Sequence, residues 1–165
     1  MFDKGAFYLY RKKTLLLKRS LGVAVFLSVI ALGIWMFQFT FFSPSHQAKS
    51  AVKEFYTLEQ EGNFSESWDL FHSSMKKKWT KGAYIQDRAH VFLNHFGVDT
   101  FTYSIEDVEK RKSWKMENDR KAFPVVYEMT VIQTYKGKYG NFDLVQKVYA
   151  VREKGEWKVV WDYKQ

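Results

Sequence analysis

The sequence contains no cysteine and only two prolines among its 165 residues. The missing cysteine excludes a disulfide-stapled scaffold, a thiol nucleophile, cysteine-ligated zinc and a lipidated cysteine. Glycine-rich phosphate loops, serine nucleophile elbows and dinucleotide fingerprints are also missing. The length allows one ordinary domain with one appendage and excludes a multidomain enzyme. What the chain does contain is 19% aromatic residues and a formal net charge of +8.

One segment of 22 residues, Leu21 to Phe42, carries no charged side chain. A helix of this length extends roughly 33 Å and can cross a hydrocarbon core of about 30 Å. The alternatives are a buried core helix and a cleavable signal peptide. A core helix would show a polar stripe, and a signal peptide has a shorter apolar region of about 7 to 15 residues. We therefore predict an uncleaved transmembrane helix over residues 21–42.

The basic residues before this segment predict its orientation. Residues 1–20 contain six Lys or Arg side chains and a single acid, Asp3. Because basic flanks stay on the cytoplasmic side, we expect a cytoplasmic N-terminus and an extracytoplasmic domain over residues 43–165. That domain holds 20 basic and 17 acidic residues, a net charge of only +3. Most of the net charge of +8 therefore lies before the apolar segment, where basic residues set the membrane orientation and attract anionic lipid. We expect no nucleic-acid partner.

Hydrophobic periodicity predicts helices followed by strands in the exported part. We predict three helices over about residues 44–61, 64–72 and 80–96, with a turn or further helix over 73–79. Alternating patterns predict four strands over about residues 101–105, 125–133, 139–152 and 156–163. Hairpin turns are expected at Lys136-Gly137-Lys138 and at Lys154-Gly155. The predicted fold is α+β, with three helices on one face of a curved, mostly antiparallel four-stranded sheet.

The first two helices of the exported part carry a family resemblance. The run AVKEFYTLEQEGNFSESWDLFHSSM places a Phe-Tyr pair before the turn Gly62-Asn63 and then a helix with Trp68. With the long aromatic strands that follow, it resembles the extracytoplasmic domains of the nuclear transport factor two-like superfamily over most of residues 46–163. The resemblance implies a cystatin-like cone. That fold hosts isomerases, dehydratases, binding modules and assembly factors, so it implies no single function.

An anchor followed by a cone domain is similar to two classes of bacterial envelope protein. One is the N-terminal domain of some Gram-positive penicillin-binding proteins, and the other is the bitopic assembly subunit of type IV secretion and conjugation machines. No acyl-transfer serine motif follows the cone here. The resemblance therefore implies an envelope protein without a transpeptidase.

Cone folds often enclose a pocket, so polar and aromatic side chains of the helices are candidates for a ligand site. The candidates are Trp68, Asp69, Tyr84, Asp87 and His90, with His72, Arg88 and His95 as further polar groups. Asp87 and His90 can share a helix face, whereas His90 and His95 cannot. A general acid or base must point into a dry cavity, which spacing does not show, so we name no catalytic residue. The histidines lack metal-ligand spacing, and we expect no metal or cofactor.

Two basic clusters interrupt the aromatic sequence. They are Lys76, Lys77, Lys78 and Lys81, and then Lys110, Arg111, Lys112 and Lys115. Either would suit anionic polymers or lipid head groups, but acids flank the second cluster and we interpret it as a solvated loop. We expect the tryptophans of the exported part mainly to fill its core.

The leading functional hypothesis is a non-catalytic, single-pass envelope protein. Its exported domain would bind another envelope protein, a cell-wall polymer or a second copy of itself. The alternatives are an enzyme or small-ligand receptor that uses the cone pocket, and an assembly subunit of a secretion or conjugation machine. An open polar cavity lined by Asp, His or Tyr would favour the enzyme or receptor, whereas a cavity plugged by Trp and Phe would exclude it.

Overall fold

The computed structural model of the protein describes residues 21–38, 43–90, 97–98, 100–116, 122–137 and 140–162. The chain divides into two compact units, Met1–Ser43 and Pro44–Gln165. In the first unit, helix α1 spans Leu21–Gln38 with a mean hydropathy of 2.1 and no buried residue. It is long and apolar enough to cross a membrane, although a signal sequence has the same properties. The basic residues 1–20 and the predicted end of the span, 39–42, lie outside the described residues.

Four helices open the second unit: the three predicted, and a fourth where a turn or a further helix was expected over 73–79. They are α2 (Pro44–Gln60), α3 (Phe64–Asp69), α4 (Ser73–Lys78) and α5 (Lys81–His90). The additional helix is α4, which forms because His72 caps it: the ring Nδ1 accepts a hydrogen bond from the Ser74 N–H at 3.1 Å. Gly62 ends α2 with a φ of 76°, as its position predicts. The predicted continuation of α5 over 91–96 lies outside the described residues.

Four antiparallel strands follow in the order in which they occur in the chain. They are β1 (Phe101–Trp114), β2 (Phe123–Gly137), β3 (Gly140–Glu153) and β4 (Glu156–Trp161). Each pairs with the next, so the sheet is open and β1 and β4 are its edges. The prediction of an α+β fold with a four-stranded antiparallel sheet is confirmed at this level. The predicted strand ends at 139 and 163 lie outside the described residues.

Strand β1 is nine residues longer than predicted and includes most of the second basic cluster. Lys110, Arg111 and Lys112 are exposed residues of the strand, so the interpretation of this cluster as a loop is wrong. An edge strand tolerates such charges because one of its two edges is exposed to water, while the other forms backbone hydrogen bonds with the neighbouring strand. The pairing with β2 shifts between Glu106 and Glu109, where Asp107 has a φ of 52°, which marks a β-bulge.

The two hairpin turns differ in how fully they are described. Lys154 and Gly155 have φ values of 51° and 90°, which fit a two-residue type I′ turn, as their sequence predicts. The pairing of Gly137 with Gly140 closes the hairpin between β2 and β3. Residues 138–139, the tip of that hairpin, lie outside the described residues.

Helix α2 supplies the central layer of the core and lies against all four strands. Its fully buried face carries Ala48, Val52, Phe55 and Tyr56, which recur at helical spacing. The Phe55 ring lies 4.9 Å from that of Phe71 and 5.5 Å from that of Trp161. Trp161 is buried, and four further tryptophans pack partly buried against this core, namely Trp68, Trp79, Trp114 and Trp157. The expectation that tryptophans fill the core is confirmed for these residues.

The connection between α3 and α4 is attached to the edge strand β4. The Val159 N–H donates to the Leu70 carbonyl at 2.9 Å, and the His72 N–H donates to the Val159 carbonyl at 3.0 Å. His72 also contacts Glu153 through Nε2 at 3.3 Å. These contacts fix the position of the helices that follow, α4 and α5, relative to the sheet.

Glu128 of β2 joins the three longest strands through two ion pairs. Its carboxylate lies 3.1 Å from Arg111 Nε on β1 and 3.2 Å from Lys147 Nζ on β3. Partial burial alone would raise the pKa of Glu128, but hydrogen bonds from Lys147 and Arg111, together with their charges, outweigh it and lower the pKa.

We expect Glu128→Gln to lower the free energy of unfolding at pH 7 by about 0.5 kcal/mol, since both cations are largely exposed and solvent screens them. A lowered folded-state pKa gives stability above the ordinary glutamate pKa of about 4.3, and this stability is lost as the pH falls through the folded value. Urea unfolding of the full chain in detergent, from neutral to strongly acidic pH, should therefore show the two proteins converging in acid. Glu54→Gln, on the exposed side of α2, is the control. A difference that persists unchanged in acid would contradict the ion-pair assignment.

Candidate ligand cavity

A cavity of about 810 Å³ opens in the second unit between α5 and β3. Its volume lies within the range of about 300 to 1,000 Å³ that is typical of small-molecule sites. Helix α5 supplies most of the lining because Ala83, Asp87 and His90 recur at helical spacing along one face. The residues that line the cavity are Trp79, Ala83, Tyr84, Gln86, Asp87, Arg88, His90, Leu144, Val145, Gln146 and Trp161.

The cavity has an exposed polar and aliphatic rim and a buried aromatic floor. Asp87 and His90 are exposed, as are Leu144 and Val145, the latter with 62% of its surface accessible. Trp161, by contrast, is 5% exposed. A ligand would enter past groups that form hydrogen bonds and would rest on flat apolar rings.

Three of the five residues that the sequence singled out line this cavity. Tyr84 belongs to the floor, whereas Asp87 and His90 belong to the rim. Trp68 and Asp69 do not line it: Trp68 Nε1 donates to the Trp79 carbonyl at 3.0 Å, and Asp69 pairs with Lys81. Of the further polar groups, Arg88 lines the cavity, His72 caps α4 and His95 lies outside the described residues.

A buried carboxylate, Glu59, holds the floor of the cavity in place. Glu59 is 2% exposed and lies in the last turn of α2. Its Oε1 accepts hydrogen bonds from the hydroxyl of Ser67 and, at 2.7 Å, from that of Tyr84. Its Oε2 accepts a hydrogen bond from Arg88 Nε at 2.6 Å and forms an ion pair with Arg88, whose Nη2 lies 2.5 Å from it. Three helices therefore meet at this one side chain.

Burial and the contacts with Glu59 shift the pKa values of Tyr84 and Arg88. Burial raises the pKa of the Tyr84 hydroxyl above its usual range, and the charge of Glu59 raises it further, so Tyr84 remains a donor. Burial alone would lower the pKa of Arg88, but the adjacent Glu59 outweighs it and the pKa is raised. Burial also raises the pKa of Tyr135 to about 12. Arg88 further lies over the ring of Trp161, with Cζ 5.7 Å from the centroid.

Glu59 and Ser67, which support the floor of the cavity without lining it, were not predicted from the sequence. One signal was available: Glu59 follows Val52, Phe55 and Tyr56 at helical spacing, so an acid stands on the buried stripe of α2. A buried acid requires a partner, and this requirement points to a basic residue elsewhere in the domain. Leu144 and Val145 gave no such signal, because apolar residues of a strand are expected to face the core.

The lining of the cavity offers both apolar surfaces and hydrogen-bonding groups. Trp79 and Trp161 offer flat apolar surfaces, and Gln86, Asp87 and Gln146 offer hydrogen-bonding groups. Among the described residues, no group of three His, Asp or Glu side chains is placed to hold a metal ion. Comparison of the sequence with protein-family models and with curated proteins finds no match.

Removing one member of the buried ion pair should be costly, and removing both should cost less than the sum of the two single losses. Arg88→Met or Glu59→Gln alone is expected to lower the free energy of unfolding by about 3 kcal/mol, because each leaves a buried group without its partner. The double variant should lose less than the sum of the two by at least about 1 kcal/mol. Guanidinium unfolding of the full chain in detergent, followed by tryptophan fluorescence, measures this coupling. Additive losses would show that the pair does not hold the helices together.

Proposed function

We propose that the protein is a single-pass envelope protein whose exported domain is a non-catalytic module that binds a ligand in the cavity between α5 and β3. The ligand is a small molecule, a fragment of a cell-wall polymer or a segment of an envelope partner, with a flat apolar face and hydrogen-bonding edges. The N-terminus lies in the cytoplasm and the domain from residue 43 onward lies outside. The observation that carries this proposal is the cavity of about 810 Å³ with aromatic walls and a polar rim.

The membrane placement rests on α1 and its flank. The helix has a mean hydropathy of 2.1 over Leu21–Gln38, and six basic residues precede it. A hydrophobic helix with a basic N-terminal flank is retained with that flank in the cytoplasm. Retention of the helix, rather than its cleavage as a signal sequence, is part of the proposal.

The exported domain is proposed to be a cone of the nuclear transport factor two-like type. Helices that precede an antiparallel four-stranded sheet in chain order support this assignment. So does a cavity between a helix and the sheet, since such cones often enclose a pocket. The fold leaves the function to be argued from the cavity itself.

Binding is favoured over catalysis by the state of the acidic groups. Glu59, the buried carboxylate beneath the cavity, accepts hydrogen bonds from Ser67, Tyr84 and Arg88. It is not among the residues that line the cavity, so it is not placed to touch a substrate there. The alternative, an enzyme that uses the same cavity, is favoured by the opening of the cavity to solvent and by the presence of Asp87 and His90 on one rim. Both side chains are exposed, and a general base works best where water is excluded.

The topology predicts where a reporter is active. A reporter that works only outside the cytoplasm should be active when it is fused after Gln165, whereas one that works only in the cytoplasm should be silent there. The intact fusion should remain in the membrane fraction at its full mass. Cytoplasmic activity would reverse the orientation, and a shortened, released product would show that α1 is a cleaved signal sequence.

Filling the cavity should abolish ligand binding. Ala83 is an exposed cavity residue, so Ala83→Trp places a large side chain in the opening without changing the core. A library of water-soluble fragments, observed by saturation-transfer NMR with the full chain in nanodiscs, is expected to give ligands that bind the unaltered protein and lose most binding to the variant. Gly82→Trp is the matched control, since Gly82 is the preceding helix residue, lies outside the cavity and has open space around its Cβ position. Equal loss in both variants, or in neither, would contradict the proposed site.

A further inference from the structure

Three lysine side chains converge on one acidic residue outside the cavity. Lys76 Nζ donates to the backbone carbonyl of Asp69 at 2.8 Å, and Lys158 Nζ donates to the same oxygen at 3.4 Å. Lys81 Nζ pairs with the Asp69 carboxylate at 2.7 Å. We call Lys76, Lys81 and Lys158 the lysine cluster. None of its members lines the cavity.

The fold, rather than chance, brings these side chains together. They come from three elements, α4, the start of α5 and β4. Trp68 holds two of them, since Lys76 Nζ lies 4.8 Å and Lys81 Nζ 5.5 Å from its ring centroid. Trp68 is itself tied by its hydrogen bond to the Trp79 carbonyl. The ammonium groups are therefore positioned in advance of any ligand.

Cations outnumber acids in the surroundings of the cluster. Asp69 and Glu156 pair with it, the latter 2.9 Å from Lys158, and Glu153 is a third acid that acts on Lys76. Lys77 and Lys78 extend from the same turn of α4 as two further exposed cations. Partial burial and the nearby Lys158 lower the pKa of Lys76, which is the behaviour expected where cations are crowded.

The spacing of the cluster suits an anion with several oxygens. Lys76 and Lys158 contact one oxygen at 2.8 and 3.4 Å, so their nitrogens lie within about 6 Å of each other. A charge-assisted contact needs about 2.8 Å, so both can reach different oxygens of one bound group. Each ammonium has three donors, which leaves donors available besides those used on Asp69. A tetrahedral phosphate, whose oxygens point in several directions, satisfies such an arrangement better than a planar carboxylate does.

We propose that Lys76, Lys81 and Lys158 form a binding site for phosphate esters on the exported domain. The phosphate comes either from the head group of an anionic lipid or from a soluble phosphate-bearing polymer. None of the three lysines lines the cavity, so the two sites have no lining residue in common.

The test uses the full chain in nanodiscs of neutral phosphatidylcholine, with inorganic tripolyphosphate as the probe and binding measured by calorimetry at fixed ionic strength. Replacing all three lysines by Gln is expected to weaken binding by about tenfold or more. The matched control replaces Lys110, Lys112 and Lys115 of the other basic cluster by Gln. It removes the same charge and should change affinity by less than about twofold. Equal losses in the two triple variants would show that only net charge matters and would overturn the site.

Asp69→Asn provides a test whose expected result cannot arise from misfolding, because misfolding would weaken binding of the probe and this variant should strengthen it. It removes the carboxylate that competes for Lys81, so it should strengthen tripolyphosphate binding by about threefold or more. Unchanged or weaker binding by a folded Asp69→Asn protein would overturn the proposal. If the triple variant does not fold, Lys81→Gln alone, at a partly exposed position, should still weaken binding by about threefold.

The source of the phosphate is resolved by repeating the measurement in nanodiscs that contain phosphatidylglycerol. Weaker probe binding in these discs than in neutral ones, lost in the triple variant, identifies lipid head groups as the occupants. Unchanged probe binding identifies a soluble phosphate. Both outcomes support the site, whereas weakening that persists in the triple variant shows general repulsion by the anionic surface and overturns the lipid assignment.

Discussion

The arrangement of the helices depends on the burial of one ion pair, Glu59 with Arg88. Removing two such charges from water costs several kcal/mol per ion, and only close, complete hydrogen bonding offsets it. Glu59 meets that requirement with donors from Ser67 of α3 and from Tyr84 and Arg88 of α5. The pair therefore contributes less to net stability than to the choice of one arrangement. Helix α5 must lie where Arg88 reaches Glu59, and Ala83, Asp87 and His90, along one face of the same helix, then line the cavity beside β3.

Much of the fold could be predicted from the sequence because periodicity and turn chemistry act locally. The helix stop at Gly62 and the turn at Lys154-Gly155 follow from backbone conformations that few residues adopt. Helix α4 was not predicted with certainty, because its cap is a histidine side chain that is not a preferred capping residue. The length of β1 was underestimated because charged side chains and a bulge interrupt its alternation, although it continues to pair with β2. These errors arise where one interaction overrides the local pattern.

The candidate site was harder to predict, because it is assembled from residues far apart in the chain. Tyr84, Asp87 and His90 could be selected because they share one polar helix, but nothing local brings Leu144 and Val145 opposite them. Charge shows the same limit. Residues 43–165 have a net charge of +3, with nearly as many acidic as basic residues, whereas the structure brings Lys158 of β4 close to Lys76 and Lys81. Convergence of like charges in space, rather than their number in the chain, distinguishes a binding surface from a solvated one.

The cavity and the lysine cluster share structural elements even though their residues differ. Helix α5 begins with Lys81 of the cluster and continues with the residues of the cavity face. Trp68, which holds two lysines of the cluster, donates a hydrogen bond to the carbonyl of Trp79, whose side chain lines the cavity. If anion binding shifts Trp68, the first residue of the cavity lining to move should therefore be Trp79. Because coupling between two binding sites is reciprocal, any such effect on the affinity of the cavity must be matched by an equal effect of the cavity ligand on the cluster.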